Sequence, residues 1–309
     1  MRANHLRSGA LHSTKSLKKH LLMSIEDIIL SHDRRGISVL RGYLPSHFCD
    51  EAASFILDNC GDNNGTALIT TGFFILSAQA PETDGPPGAV ALAKALHFLG
   101  FDVVYVTDKY TTPLLTSDIV GQDRVLEFPI TDHRSSRQFA QRLLAEVQPS
   151  ILISIERCGL CGNRRYLNMA GKDITEYTAK IDYLFLDREN TLGLGDGGNE
   201  IGMGNLARHI PGVDTLPDDP ARTTVSKLVI ASVSNWAGYG LVTALSRLAD
   251  HNLLPSVEWE KEIISEIVVR GAVDGVSAER KCAVDNFDLE QNAWALTQLH
   301  KLLKADMTT

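Results

Sequence analysis

The sequence is short of positive charge: 30 Lys and Arg stand against 38 Asp and Glu, a formal net charge of −8. A nucleic-acid partner calls for a basic footprint, so this balance argues against one. Cysteine is scarce as well. The five residues (Cys49, Cys60, Cys158, Cys161 and Cys282) are too few and too scattered to staple a chain of 309 residues, which points to a reducing, intracellular compartment. No apolar run approaches the roughly 18 residues of a membrane span. The GxSxG elbow, the Walker A loop and HExxH are all missing. The dense glycine motif does not match GxGxxG with a distant ribose-binding acid, which disfavours a Rossmann dehydrogenase. The single CxxC, Cys158 to Cys161, lacks the second ligand pair a zinc site would need, and a redox role for it has little support.

What is present is an ordinary globular composition, 44% hydrophobic and 22% charged. The length allows one large α/β domain or two smaller ones. Residues 1–22 differ from the rest: five basic residues, several Ser and His, and no acid. They suit either a basic tail ahead of a start at Met23 or a transit peptide, which would place the protein in the mitochondrial matrix rather than the cytoplasm. From Met23, Ser24-Ile25-Glu26-Asp27 opens an N-capped amphipathic helix, and Pro45–Leu57 forms a second. Strands are expected at Ala67–Thr70, Asp102–Thr107, Val125–Phe128, Ile151–Ile155, Tyr183–Leu186 and Lys227–Ala231. Helices are expected at Ala89–Leu99, Ser136–Glu146, Trp236–Leu248, Trp259–Val268 and Leu289–Leu303. Short apolar strands alternating with amphipathic helices imply a three-layer α/β fold, a mostly parallel sheet with helices on both faces. The simplest organisation is one domain over 23–309 with a helical N-terminal extension.

Ligands of such sheets collect at the carboxyl ends of the strands, and there the polar motifs recur. In Gly193–Asn205 six of thirteen residues are glycine, with Asp196, Asn199 and Glu200 among them. Glycine is costly to order, so the density implies positive φ or close approach of a ligand. Asp196 and Glu200 offer hard oxygen donors for Mg²⁺ or Mn²⁺. A helix opening near Asn199 would add free backbone N–H groups. A solvated glycine turn is the plain alternative. In Pro81–Gly88, Glu82 and Asp84 lie two apart, on one side of an extended backbone, suited to a metal or a substrate ammonium; a polar helix entry is the simpler reading. Glu156 leaves a strand at its carboxyl end, where acid/base groups sit. Arg157 could clamp a carboxylate or phosphate, although a surface ion pair explains both charges almost as well. Ser234 and Asn235 either cap a helix or touch a ligand, with capping slightly favoured. Asp274 and Asp285 rank lower, because Asp–Gly turns are often only turns.

ETDGPPGA (Glu82–Ala89), VTD (Val106–Asp108), ER (Glu156–Arg157), GDGGNEIGMG (Gly195–Gly204), SNWAGYGL (Ser234–Leu241) and AVDGV (Ala272–Val276) occur in this order. Together they resemble the D-glutamate cyclase C-terminal-like family, over roughly residues 24–300. The resemblance implies conversion of D-glutamate to 5-oxo-D-proline with loss of water. It also implies a hydratase-like partner, as a domain or a chain, since the family's mitochondrial two-part enzyme carries this module behind a larger part of that kind. Such chemistry needs a proton removed from an ammonium and a carboxylate oxygen polarised. The expected division of labour gives Asp196 and Glu200 a divalent metal, completed by Glu82 or Asp84. Glu156 is the expected acid/base and Arg157 the α-carboxylate holder, with Asn199, Ser234 and Asn235 as further substrate contacts. The same carboxylates suit a metal-dependent phosphatase acting on a small phosphate ester. A non-catalytic binder of a small acidic metabolite is the third reading.

Overall fold

The computed structural model describes residues 23–59 and 65–308; the tail or transit peptide expected at 1–22 lies outside the described residues. In chain order the elements are α1 (Ile25–Ile29), α2 (Phe48–Asp58), β1 (Thr66–Thr71), β2 (Phe74–Ile75), β3 (Ala80–Pro81), α3 (Pro86–Phe98), β4 (Asp102–Thr107), α4 (Ser117–Val120), β5 (Arg124–Glu127), α5 (His133–Val147), β6 (Ile151–Ile155), β7 (Thr191–Gly195), β8 (Lys227–Ile230), α6 (Ser234–Leu248), α7 (Val257–Val269), β9 (Ala283–Val284), β10 (Phe287–Asp288) and α8 (Leu289–Asp306).

Six of the strands form one parallel sheet in the order β5-β4-β1-β6-β7-β8. Every residue of β6 and β7 is buried, as befits strands covered on both faces. From the middle of the sheet the chain steps from β1 to β4 in one direction and from β6 to β7 in the other. Right-handed crossovers send these two connections over opposite faces. Helices α2, α3, α6 and α8 accordingly pack together on one side, and α5 packs against the 3₁₀ turn Ile181–Leu184 on the other. The strand order reverses between β1 and β6, and a crevice opens at their carboxyl ends.

The N-terminal helix is integral to this packing. A capping box joins Ser24 and Asp27, while Ile25, Ile28 and Ile29 are buried where α1 meets α6 and α8. The Ser232 N–H donates to the Ile29 carbonyl at 2.8 Å, which fastens the end of α1 to the segment just after β8.

Two local expectations are corrected. The strand expected at Tyr183–Leu186 is a 3₁₀ turn, Ile181–Leu184. The sheet position is taken instead by β7, the front of the glycine run. No helix opens at Asn199; a 3₁₀ turn follows at Met203–Leu206. The reason is close packing. A Cβ on Gly193 would lie 2.7 Å from the Ile201 carbonyl oxygen, and one on Gly195 would lie 2.9 Å from Met203 Cε. The loop after β7 therefore folds back directly onto its own strand, which only glycine permits.

The first turn of α6 is braced from below. Trp236 Nε1 donates to Asn292 Oδ1 on α8 at 3.1 Å, and Asn292 Nδ2 donates to Glu260 Oε1 on α7 at 2.8 Å. Burial raises the Glu260 carboxyl from 4.5 to about 7. In the folded chain it stays neutral up to about pH 7, whereas unfolded it ionises near 4.5. Its contribution to stability is intact below the lower value, declines as pH rises between the two, and is absent above about 7. Glu260→Gln is expected to flatten the decline of Tm between about pH 5 and 7 and to raise stability at about pH 7.5 by up to about 3 kcal/mol. Parallel Tm–pH curves for variant and parent would refute this.

Candidate active site

Register brings the site together. Thr71 of β1 pairs with Ile155 of β6, and Ile155 pairs with Leu194 of β7, so three chain segments leave the sheet side by side. The first carries Glu82 and Asp84. Its backbone is extended because Glu82 bridges Val273, the Thr83 N–H donates to the Val273 carbonyl at 2.9 Å, and Thr83 Oγ1 donates to the Ala283 carbonyl at 2.7 Å. A Cβ on Gly275 would sit 2.0 Å from Glu82 Oε2, so glycine in this turn makes room for the Glu82 carboxylate. That carboxylate accepts no hydrogen bond from the described residues.

Asp84 and Asn235 cap each other's helices. The Asp84 carboxylate accepts the Ser234 and Asn235 N–H groups of α6, both at 2.8 Å. Asn235 Oδ1 accepts the Gly85 and Gly88 N–H groups of α3 at 3.0 and 2.8 Å. Pro86 and Pro87 lack donors, so few orphan groups remain. Asn235 is thus a cap for the neighbouring helix rather than a substrate contact. Ser234 Oγ donates to Glu156 Oε2 at 2.6 Å.

Glu156 follows β6 with φ +44°, a left-handed backbone that is uncommon without glycine and clusters at functional sites. Asp196 follows β7. Oxygens of Asp84, Glu156 and Asp196 lie within 4.8 Å of one another, and all three residues are buried. Burial is the main force on these acids and disfavours their charged forms. It raises Asp84 to about 7, with Asp285 adding to the effect. Glu156 is pushed well above the usual carboxylate range by burial and then by Glu200, Glu82 and Asp84. Asp196 is raised by burial, against the opposing pull of Arg35. Glu82 is raised by burial, then by Asp285 and Asp84.

Arg35 and Asp285 complete the constellation, and sequence reasoning missed the first and undervalued the second. Arg35 pairs with Asp196 and forks onto Asp285 at 2.6 and 2.8 Å. Asp33 fixes the turn that presents it, accepting the Arg35, Gly36 and Ser38 N–H groups. In sequence, Arg34-Arg35 looks like any charged loop between helices. Asp274, also ranked low, accepts the Ser277 N–H within its own turn and the Asn286 N–H from the turn between β9 and β10, tying the two together.

The cluster borders a cleft of about 370 Å³ lined by Arg35, Glu82, Glu156, Asp196, Asn199 and Glu200, with walls from 73–77 and the 168–172 loop. Two assignments change. Glu200 is fully buried, and its carboxylate accepts the Asp196, Gly197 and Gly198 N–H groups at 3.1, 2.6 and 2.7 Å. It therefore anchors the loop, and it occupies the N–H cradle that an external anion would use. Arg157 does not line the cleft. It is 1% exposed, pairs with Asp108 at 2.6 Å, and donates to the Gly72 and Ala179 carbonyls. A guanidinium buried this deeply joins loops; it does not reach a substrate. Asn199 lines the cleft while its Nδ2 donates to the Leu167 carbonyl. Cys158 and Cys161 are free and buried, their thiols directed to backbone carbonyls.

A family model described as "D-glutamate cyclase-like, C-terminal" matches residues 25–300. The chain belongs to this family. The human protein named "D-glutamate cyclase, mitochondrial" is 36% identical over 202 residues, which is 58% of this chain and 32% of that protein. The chain thus matches about a third of the length of that relative. Every residue of the cluster, from Arg35 to Asp285, lies within the family match.

Arg157→Met is expected to destabilise the fold by about 3–5 kcal/mol, because Asp108 would be left buried without its cation. Thermal or urea unfolding measures this directly. A stability loss under about 1 kcal/mol would return Arg157 to the list of ligand-facing residues.

Proposed function

We propose that the chain cyclises D-glutamate to 5-oxo-D-proline with release of water, assisted by a divalent cation such as Mg²⁺ or Mn²⁺. The observation that carries this reading is the convergence of Glu82, Asp84, Glu156 and Asp196 at the crevice where the strand order reverses. The name of the human relative supports the choice of substrate. A mitochondrial matrix location fits the same reading, given that name and the basic, acid-free composition of residues 1–22.

The donor set suits the cation. Burial first, and neighbouring negative charge second, push these three close carboxyls toward their neutral forms, and a hard cation with oxygen ligands offsets that cost. Asp84, Glu156 and Asp196 would hold it; grouping Glu156 with the other two moves it from acid/base to cation holder. When bound, the cation supplies Lewis acidity toward a carboxylate oxygen.

Cyclisation forms one N–C bond and breaks one C–O bond. The ammonium gives up two protons, and both leave with the departing oxygen as water. Glu82 is suited to move them. It lines the cleft, its carboxylate is unpartnered among the described residues, and burial with Asp285 and Asp84 holds its affinity for a proton high. A buried carboxylate of that kind takes a proton from an ammonium and returns it to a leaving oxygen. Arg35 offsets part of the negative charge and links Asp196 to Asp285.

The phosphoester reading has less support. A phosphate needs excess donors, yet the N–H groups of the glycine loop are already bound to Glu200, and the remaining lining is rich in carboxylates.

The test uses protein stripped of metal and resupplied with Mg²⁺ or Mn²⁺, incubated with D- or L-glutamate, with 5-oxoproline followed by NMR. Product is expected from the D form and only with metal. Asp196→Asn is expected to abolish the metal-dependent product with little change in Tm. Glu82→Gln is expected to lower kcat by about 10²–10⁴-fold. Unchanged turnover in Asp196→Asn would overturn the assignment, and tight D-glutamate binding without turnover would favour the binder.

A further inference from the structure

The cleft is lopsided in charge. Among the described residues its lining includes Glu82, Glu156 and Asp196, with Glu200 anchored in the loop behind, and two cations, Arg35 and Lys172. Arg35 is already engaged by Asp196 and Asp285. The Lys172 ammonium makes no ion pair or hydrogen bond with any described residue, and the residue is exposed.

Lys172 nevertheless sits on a fixed platform. Asn168 Oδ1 accepts the Ala170 and Lys172 N–H groups at 3.1 and 2.9 Å, and the Asn168 N–H donates to the Lys172 carbonyl at 3.0 Å. Leu167 bridges Asp173 across the base of the loop. Asn199 Nδ2 donates to the Leu167 carbonyl at 3.0 Å, hitching this loop to the segment that carries Asp196. A lysine unpaired among the described residues thus lines the same cleft as Glu82, Glu156 and Asp196, on a loop whose backbone bonds do not depend on its ammonium.

A glutamate molecule brings one ammonium and two carboxylates. The acidic cluster attracts the ammonium, and the reacting γ-carboxylate is activated there. The α-carboxylate takes no part in bond making, and the surrounding acids repel it unless a cation offsets them. We propose that Lys172 is the specificity-determining residue that pairs with this α-carboxylate, the group that passes unchanged into the product; the inference rests on the D-glutamate reading above. Because the pairing is the same before and after cyclisation, Lys172 contributes to binding of substrate, transition state and product alike.

The experiment compares the parent, Lys172→Ala and Lys172→Arg with two substrates: D-glutamate, and its α-amide, which keeps the amine and the γ-carboxylate but lacks the α-charge. Lys172→Ala is expected to raise KM for D-glutamate about 10- to 100-fold, with kcat within about threefold. The preference for D-glutamate over the α-amide should largely disappear, and Lys172→Arg should restore most of it. Unchanged KM and unchanged preference in Lys172→Ala would overturn the proposal. Equilibrium binding of D-glutamate, read by ligand NMR on the same proteins, separates the two failures. If the parent binds D-glutamate without cyclising it, the cyclase reading fails, and weaker binding by Lys172→Ala still supports the pairing, whereas equal binding overturns it. A parent that neither binds nor converts D-glutamate removes both.

Discussion

Like charge confined in a dry crevice is the constraint on which the arrangement depends. Glu82, Asp84, Glu156 and Asp196 are buried together, and burial with mutual repulsion raises the proton affinity of each. Such a cluster persists only where surrounding groups hold it in place. Arg35 opposes the repulsion and reaches two of the segments involved. Asp84 is held by N–H groups at the start of α6, where the helix dipole favours negative charge. Glu156 has Ser234 Oγ as a donor.

The scaffold and the cluster share the same bonds. Asp84 caps α6 while Asn235 caps α3, so the two helix starts are locked across the end of the sheet. Trp236, one residue on, reaches through Asn292 to Glu260 and fastens the same turn to α8 and α7. The glycine loop supplies its own anion, Glu200, for its converging N–H groups. Arg157 does the corresponding work between Asp108 and two loop carbonyls. Acids and bases crowded at one end of a sheet thus divide into those that hold loops and those that face the cleft.

That division explains what could be read in advance. Strands β1, β4, β5, β6 and β8 announce themselves as short apolar runs, and the helices other than the four-residue α4 by their periodicity, because burial selects residue type directly. β7 escaped because its glycines answer to a loop packed on the strand, not to burial of side chains. Asp196, Glu156, Glu82 and Asp84 were legible as acids set among glycine and proline at strand ends. Glu200 and Arg157 carried equally strong local signals, yet their partners are backbone groups and Asp108, which no spacing rule reveals. Arg35 and Asp285 lie 161 and 89 residues from Asp196 in the chain, beyond the reach of any local pattern.

The sequence by itself determined the class of fold, a parallel sheet covered by helices, and the acidic, glycine-rich character of the strand ends. Both follow from local rules of burial and backbone freedom. It also determined, through motifs spread over most of its length, the family to which the chain belongs. Only the tertiary structure decided which acids share a cleft and which cap a helix or fill an N–H cradle. It also set Arg35 against Asp196 and placed Lys172, unpaired among the described residues, on the wall of the same cleft. Charge pairing depends on distances of a few ångströms between segments far apart in the chain, and those distances exist only once the sheet has brought its strand ends together.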